Sequence, residues 1–254
     1  MDAIVQKTKS AMENYWSAID QVCKTAQEQE AANLAHIGAV IAGRIQDGKS
    51  LWSFGCTHSA LLVGETVYRA GGSVLCNPIF APGLWPGEVP VTRTSRLEKL
   101  PGYAEVLLAD LKIGAGDVVI VFSTSGWNAV PVEFARLVRE EHGATVVAFT
   151  STAYLDLRPS PERKHLSEVS DYVVNTHIPI GDAAIALDQY PQIHMGPIST
   201  YVGVALVNGL LISVSAALAE AGVEPPVFRS GNVPGGMEQN LKTLAKYRGQ
   251  IHYL

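Results

Sequence analysis

Two apolar runs, Asp117–Phe122 (DVVIVF) and Ala144–Phe149 (ATVVAF), leave this chain few ways to fold. Neither alternates polar with apolar residues, so a strand built from either is buried on both faces. Between them, residues 129–142 carry the spacing of an amphipathic helix that stops at Gly143. Three further runs fit the same cadence. Leu51–Phe54 ends at Gly55 and precedes a helical stretch from Ser59 to Ala70; Ser73–Cys76 follows the Gly71-Gly72 stop; Asp171–Asn175 comes last. Doubly buried strands alternating with helices predict an α/β fold, a three-layer αβα sandwich around a five-stranded parallel sheet. In such sheets ligands bind beyond the carboxyl ends of the strands. The loops after Phe54, Phe122, Phe149 and Asn175 are therefore where chemistry is expected.

The N-terminal part reads as two amphipathic helices, 2–30 and 33–47, the second stopping at Asp47-Gly48. Residues 78–101, 177–197 and 225–236 are rich in Pro and Gly and read as long, stiffened connections: ordered lids, interface arms or plain surface insertions. Residues 202–219 hold no charge, which is the lower edge of a membrane-spanning helix. Asn208, two glycines and two serines within it, and no basic flank, favour a helix buried in the core or across a subunit interface. With 47% apolar and 17% charged residues the chain has ample material for a core. A net charge of −5 gives no basic footprint for nucleic acid. An odd count of 3 cysteines and an N-terminus without a signal pattern predict a cytoplasmic protein.

Two loops stand out chemically. Gly55-Cys56-Thr57-His58-Ser59 ends the first strand, and Ser123-Thr124-Ser125-Gly126-Trp127-Asn128 ends the third. Small and hydroxylated residues turning into a helix present N–H and O–H donors to an anion, with no need for Lys or Arg. The same residues also serve as ordinary helix caps, with Ser59 and either Ser125 or Asn128 in that role. No Gly-Lys-Ser/Thr follows either turn and no G-x-G-x-x-G is present, so nucleotide cofactors lose support. Ser123 and Ser125 also lack the flanks of a nucleophile elbow.

The stretch VVIVFSTSGWNAVPVEFARLVREEHGATVVAFTS resembles the central signature of the sugar-isomerase (SIS) domain family. That signature is an apolar strand, Ser-x-Ser-Gly-x-Thr, a helix, a glycine and a second strand. GCTHS resembles the family's earlier Gly-x-Gly-x-Ser loop, and HLSEVSDYVVNT its Ser/Ala-x-x-Ala-Asp strand. IHMGPISTYVGVALVNGLL resembles the segment where a Ser-Thr pair opens a long apolar helix. The last part, PVFRSGNVPGGMEQNLKTLAKYRGQI, is similar to the tail of a bacterial group of stand-alone SIS proteins. The resemblance implies one SIS domain over residues 1–254, with a helical extension over about 1–47 and a C-terminal arm over about 222–254. It implies a phosphosugar ligand and a homodimer or dimer of dimers with shared sites; with the nucleotide motifs missing, no cofactor is expected. Carried over by position, Gly55, Ser59, Ser123, Thr124, Ser125, Asn128, Ser199 and Thr200 would bind substrate. Two residues depart from the pattern. Thr57 stands where the family usually has a second glycine, and Trp127-Asn128 where Glu-Thr is common, so a sugar sulfonate is a conceivable alternative to a phosphate.

Isomerising an aldose to a ketose through an enediol needs a base between C1 and C2, usually a carboxylate. Glu65 lies six residues beyond Ser59, about 9 Å along a helix at 1.5 Å per residue, and matches a Glu on the same helix of SIS isomerases. Glu65 and Arg69 are equally a solvated i,i+4 pair. Glu238 is a second carboxylate, reaching in from a partner subunit. His58 and His194 are candidates for assisting ring opening. Cys56, His58, His177, Asp182, Asp188 and His194 are nominal metal ligands without zinc-site spacing, and no metal is expected. The leading expectation is an isomerase of an anionic sugar. A phosphosugar-binding protein without catalysis and an amino-sugar lyase are the alternatives.

Overall fold

The computed structural model describes residues 1–254. The strands are β1 (Leu51–Gly55), β2 (Cys76–Ile79), β3 (Val118–Phe122), β4 (Thr145–Thr150) and β5 (Tyr172–Asn175). They form one parallel sheet in the order β2-β1-β3-β4-β5. β1 and β3 are buried at every position, as their unbroken apolar sequences require. Alternate side chains serve different layers. Leu51, Val118, Ile120, Phe122, Val147 and Phe149 join one core, and Trp52, Phe54, Val119, Val121, Val146 and Ala148 the other.

The first core is closed by α1 (Asp2–Gln46), α2 (Ala60–Thr66) and α6 (Ser199–Glu220). The second is closed by α4 (Tyr103–Ala109) and α5 (Ala129–Glu140), with the short α3 (Thr92–Leu97) beside them. The three-layer αβα sandwich around a five-stranded parallel sheet expected from the sequence is thus the fold observed. α6 buries Val202, Leu206, Val207, Leu210, Val214 and Leu218 but leaves Tyr201 and Ile212 exposed. It packs so closely on α1 that a Cβ at Gly38 would collide with the Ser213 side chain.

Several elements differ from expectation. The two N-terminal helices are one helix of 45 residues, about 68 Å long. Its buried stripe runs Ala26, Glu30, Leu34, Ile37 and Ile41, and the polar Glu30 had hidden the continuity. Glu30 is accommodated by Asn33 Nδ2 at 2.8 Å and His177 Nε2 at 3.4 Å. β2 starts three residues later than Ser73, because Ser73 and Val74 pair with the C-terminal arm instead. Val74 N donates to Pro226 O, and Phe228 N to Gly72 O. Pro78 is tolerated in β2 because that strand is at the sheet's edge. The helix expected from Ser59 to Ala70 is shorter: a 3-10 turn, Thr57–Ser59, leads into α2, which ends at Thr66. The connection 177–197 holds an antiparallel hairpin, β6 (Ile185–Leu187) and β7 (Tyr190–Met195), tied to α1 by Tyr15 OH donating to Pro197 O at 2.7 Å.

α7 (Gly236–Lys246) follows the arm, and the chain then returns to the β2 edge. Gln250 Nε2 donates to the carbonyls of Ile45 and Lys49, and His252 N to Asn77 Oδ1. Below the sheet's amino end, Asp117 collects three donors: Ser50 N at 2.9 Å, Trp52 Nε1 at 3.2 Å and Gly114 N at 3.1 Å. Asp117→Ala would strand these buried donors, so unfolding in urea is expected to show a loss of about 2–4 kcal/mol.

Candidate functional site

The order β2-β1-β3 means that the chain leaves β1 toward one side and resumes on the other. The crevice opened by this reversal lies beyond the carboxyl ends of β1 and β3. A pocket of about 210 Å³ occurs there, lined among others by His58, Ser59, Ser123, Thr124, Ser125 and Asn128. Ser199 and Thr200, from the first turn of α6, complete its wall. Eight residues singled out from sequence therefore converge on one pocket. A larger cavity of about 730 Å³ opens beside β2, among Tyr68, Phe80, Val106 and Tyr253, but it is mostly apolar and shares no residue with the first.

The loop after β3 is held from behind. Ser123 N donates to Phe149 O, and Ser151 N to Thr124 O. Gly126 N donates to Ser123 Oγ at 3.3 Å. The Thr124 and Ser125 N–H groups donate to no group of the chain. Gly126 has φ +67, and a Cβ there would run into the His165 ring. His165 is fully buried; its Nδ1 accepts from Ser167 N, so Nε2 carries the proton and donates to Ser125 O at 3.0 Å. Trp127 points away from the pocket. Its Nε1 donates to Tyr154 O at 2.7 Å, its ring meets His165 edge-on, and the Arg158 guanidinium lies over it. The large ring that departs from the family pattern thus fastens residues 152–168 onto the loop.

The loop after β1 is tighter than a glycine-rich one. Thr57 has φ 54, a left-handed conformation unusual for a β-branched residue. Thr57 N donates to Leu84 O, which fixes that turn. Gly55 does not line the pocket; a Cβ there would come within 2.7 Å of Ser59 O, so its role is to let the 3-10 turn fold back on the strand. Cys56 does line it, yet burial first and Glu98 second hold its thiol well above the ordinary range, so it stays protonated.

Three other candidates lie outside the lining. Glu65, near the end of α2, is ion-paired with Arg69 and accepts from Asn208 Nδ2 of α6 at 2.9 Å. Glu238 is exposed on α7 and paired with Lys242 Nζ at 2.7 Å. His194 is exposed on β7. Two carboxylates also line the pocket that were not singled out from sequence as substrate contacts. Asp182 accepts from Ile198 N, Ser199 N and Ser199 Oγ, and so caps α6. Glu98, just past α3, carries a carboxyl raised by burial. Lys99 and the side chains of Asn128 and Thr57 partly offset that rise. Only its place in space beside Thr57 and Asn128 reveals Glu98; no motif surrounds it.

The SIS domain profile matches residues 14–151. The chain belongs to the SIS domain family. A UPF0309 protein of Oceanobacillus iheyensis is 35% identical over 245 residues, spanning 96% of this chain and 99% of its own. One of Streptomyces coelicolor is 38% identical over 240 residues, with 93% and 94% covered. Among solved structures, a phosphoheptose isomerase of Neisseria gonorrhoeae superposes with a TM-score of 0.52 at 12% identity, over 82% of this chain and 99% of its own. One of Francisella tularensis gives 0.50 at 11%, over 82% and 97%. These likenesses establish the fold.

Burial holds the His165 imidazole below the usual histidine range, and for His252 burial acts the same way. Each is neutral in the folded chain at a pH where the unfolded chain takes up a proton. Stability is therefore complete above about pH 6.5 and falls as the pH drops through the window below it. The fully buried His165 contributes a slope of at most about 1.4 kcal/mol per pH unit, and the exposed His252 less, because solvent screens it. Urea unfolding between pH 7.5 and 5 should show this loss, and His165→Gln should flatten it.

Proposed function

We propose that this SIS protein is an aldose–ketose isomerase acting on an anionic sugar, a phosphate or a sulfonate. The observation that carries the reading is the convergence of Ser59, Ser123, Thr124, Ser125 and Asn128 on one crevice, with two uncommitted N–H groups. This donor set suits a tetrahedral anion. The phosphoheptose isomerases of the same fold act, by name, on a phosphorylated sugar, which supports the substrate class.

In this reading Glu65 is the base. It lies on α2, six residues past Ser59, a displacement comparable with a sugar chain reaching from its anion toward C2. Arg69 and Asn208 fix the carboxylate. The carboxylate takes the proton from C2 of the opened aldose as the C1 carbonyl oxygen gains one, giving the enediol; the resulting acid, exchanging in part with solvent, then protonates C1 while the C2 hydroxyl gives up its proton. His58, exposed at the pocket rim, assists ring opening. Glu65→Gln keeps the shape but accepts no proton, and should lower kcat by about 10²–10⁴-fold with little change in KM. Exchange of the C2 hydrogen with solvent deuterium should fall with it. Ser123→Ala and Ser125→Ala should instead raise KM. Loss of a side group without ketose formation would identify a lyase.

One observation favours a binding protein without catalysis. Glu65 stands outside the pocket lining, and both its partners belong to this chain. Substrate-dependent deuterium exchange decides between the readings: a binding protein shows saturable affinity and no exchange.

The reading extends to a homodimer. α6 carries no charge before Glu220, yet Tyr201 and Ile212 on its outer face are exposed, as are Ile4, Val5, Met12 and Trp16 of α1. In this reading Glu238 and His194, exposed on α7 and β7, are the residues a second copy would contribute to a shared site. Sedimentation at micromolar concentration should give a dimer or a dimer of dimers, and Ile212→Glu should shift it toward monomer.

A further inference from the structure

An anion site ordinarily gains charge complementarity from Lys or Arg. The pocket after β1 and β3 has neither among its lining residues, and it has two carboxylates, Glu98 and Asp182. They are not equivalent. Asp182 is occupied by two N–H groups and a hydroxyl at the start of α6, which commit it to capping that helix. Glu98 has no guanidinium or backbone donor. It is half-buried between the two anion-cradling loops, with the side chains of Thr57 from one and Asn128 from the other turned toward it. An ionised Glu98 would repel any doubly charged anion in the cradle. A protonated Glu98 would give that anion one more O–H donor.

We propose that Glu98 is the specificity-determining contact of this pocket, entering the complex as the neutral acid and donating its proton to an oxygen of the bound anion. One proton is then taken up with each doubly charged ligand, and the site discriminates by ligand charge as well as shape. The inference rests on reading this pocket as the anion site. Burial, which raises the Glu98 carboxyl, works in the same direction. The other titratable or charged groups facing it are His58 and Cys56 on the β1 loop, Tyr154 and Asp182 on the far wall, and Lys99 next in sequence. Of these, His58 could produce the same sign of pH dependence, because its protonated form also favours an anion.

Sulfate is a suitable probe because its charge is constant across the neutral range. Its binding is measured by calorimetry on the full chain between pH 6 and 8.5, at ionic strength held constant with chloride. Two buffers of different ionisation enthalpy count the protons. The expected result is an association constant that falls about tenfold per pH unit above the carboxyl's pKa, with about one proton taken up. Glu98→Gln, which keeps an N–H donor without a charge, should bind sulfate at pH 8 as the wild type does at acidic pH, and its slope should vanish. His58→Asn should keep the slope. A Glu98→Gln profile that parallels the wild type overturns the inference, as does a slope lost only in His58→Asn. Sulfate binding that Ser125→Ala leaves unchanged, or no binding at any pH in wild type and Glu98→Gln alike, overturns the anion-site reading itself.

Discussion

Burial of β1 and β3 on both faces is the constraint from which the rest follows. Strands with no solvent side need a helical layer above and below, and parallel pairing needs crossovers that supply those layers. The chain builds one crossover to reach β2 and then reverses to reach β3. The two loops that carry hydroxyls are thereby set side by side at the single place where neighbouring crossovers diverge. The site is a by-product of the winding, and its chemistry is written in the few residues that close each strand.

What those residues can do depends on how rigidly they are held. The Ser123–Asn128 loop is supported from behind by its own Trp127 and by Tyr154, Arg158 and His165 of the 152–168 segment. A neutral imidazole donating to a loop carbonyl fixes one peptide plane and so the direction of the neighbouring N–H groups. Preorganised donors of this kind bind an anion without first having to reorient.

Much of this was legible in the sequence, for local reasons. β3, β4 and β5 fall within one residue of their apolar runs, and Ser199-Thr200 opens α6 where the Ser-Thr pair stands. The misreadings share a different cause, contacts between distant parts of the chain. Glu30 broke the stripe of α1 on paper, yet His177, far along the sequence, gives it a partner. Ser73 and Val74 have a strand's composition, but residues 226–228 pair with them before β2 can. Glu98 sits in an unremarkable Arg-Leu-Glu-Lys stretch and gains meaning only beside Thr57 and Asn128. Patterns of period 2 or 3.6 reveal which face is buried; they do not reveal what lies against it.

The strap formed by residues 226–228 and 250–253 has a bearing on biosynthesis. It lies along the β2 edge, with Tyr253 OH on Val74 O and Gln250 bridging β2 and the end of α1. During translation these residues emerge after all five strands and both core layers. A nascent chain that assembled its sheet before they emerged would carry an unclosed outermost strand, and with it the Tyr68–Phe80 apolar surface. Pairing of that strand with another nascent chain is a hazard of this interval, and Pro78, which withholds one N–H from the edge, shortens the stretch available for it.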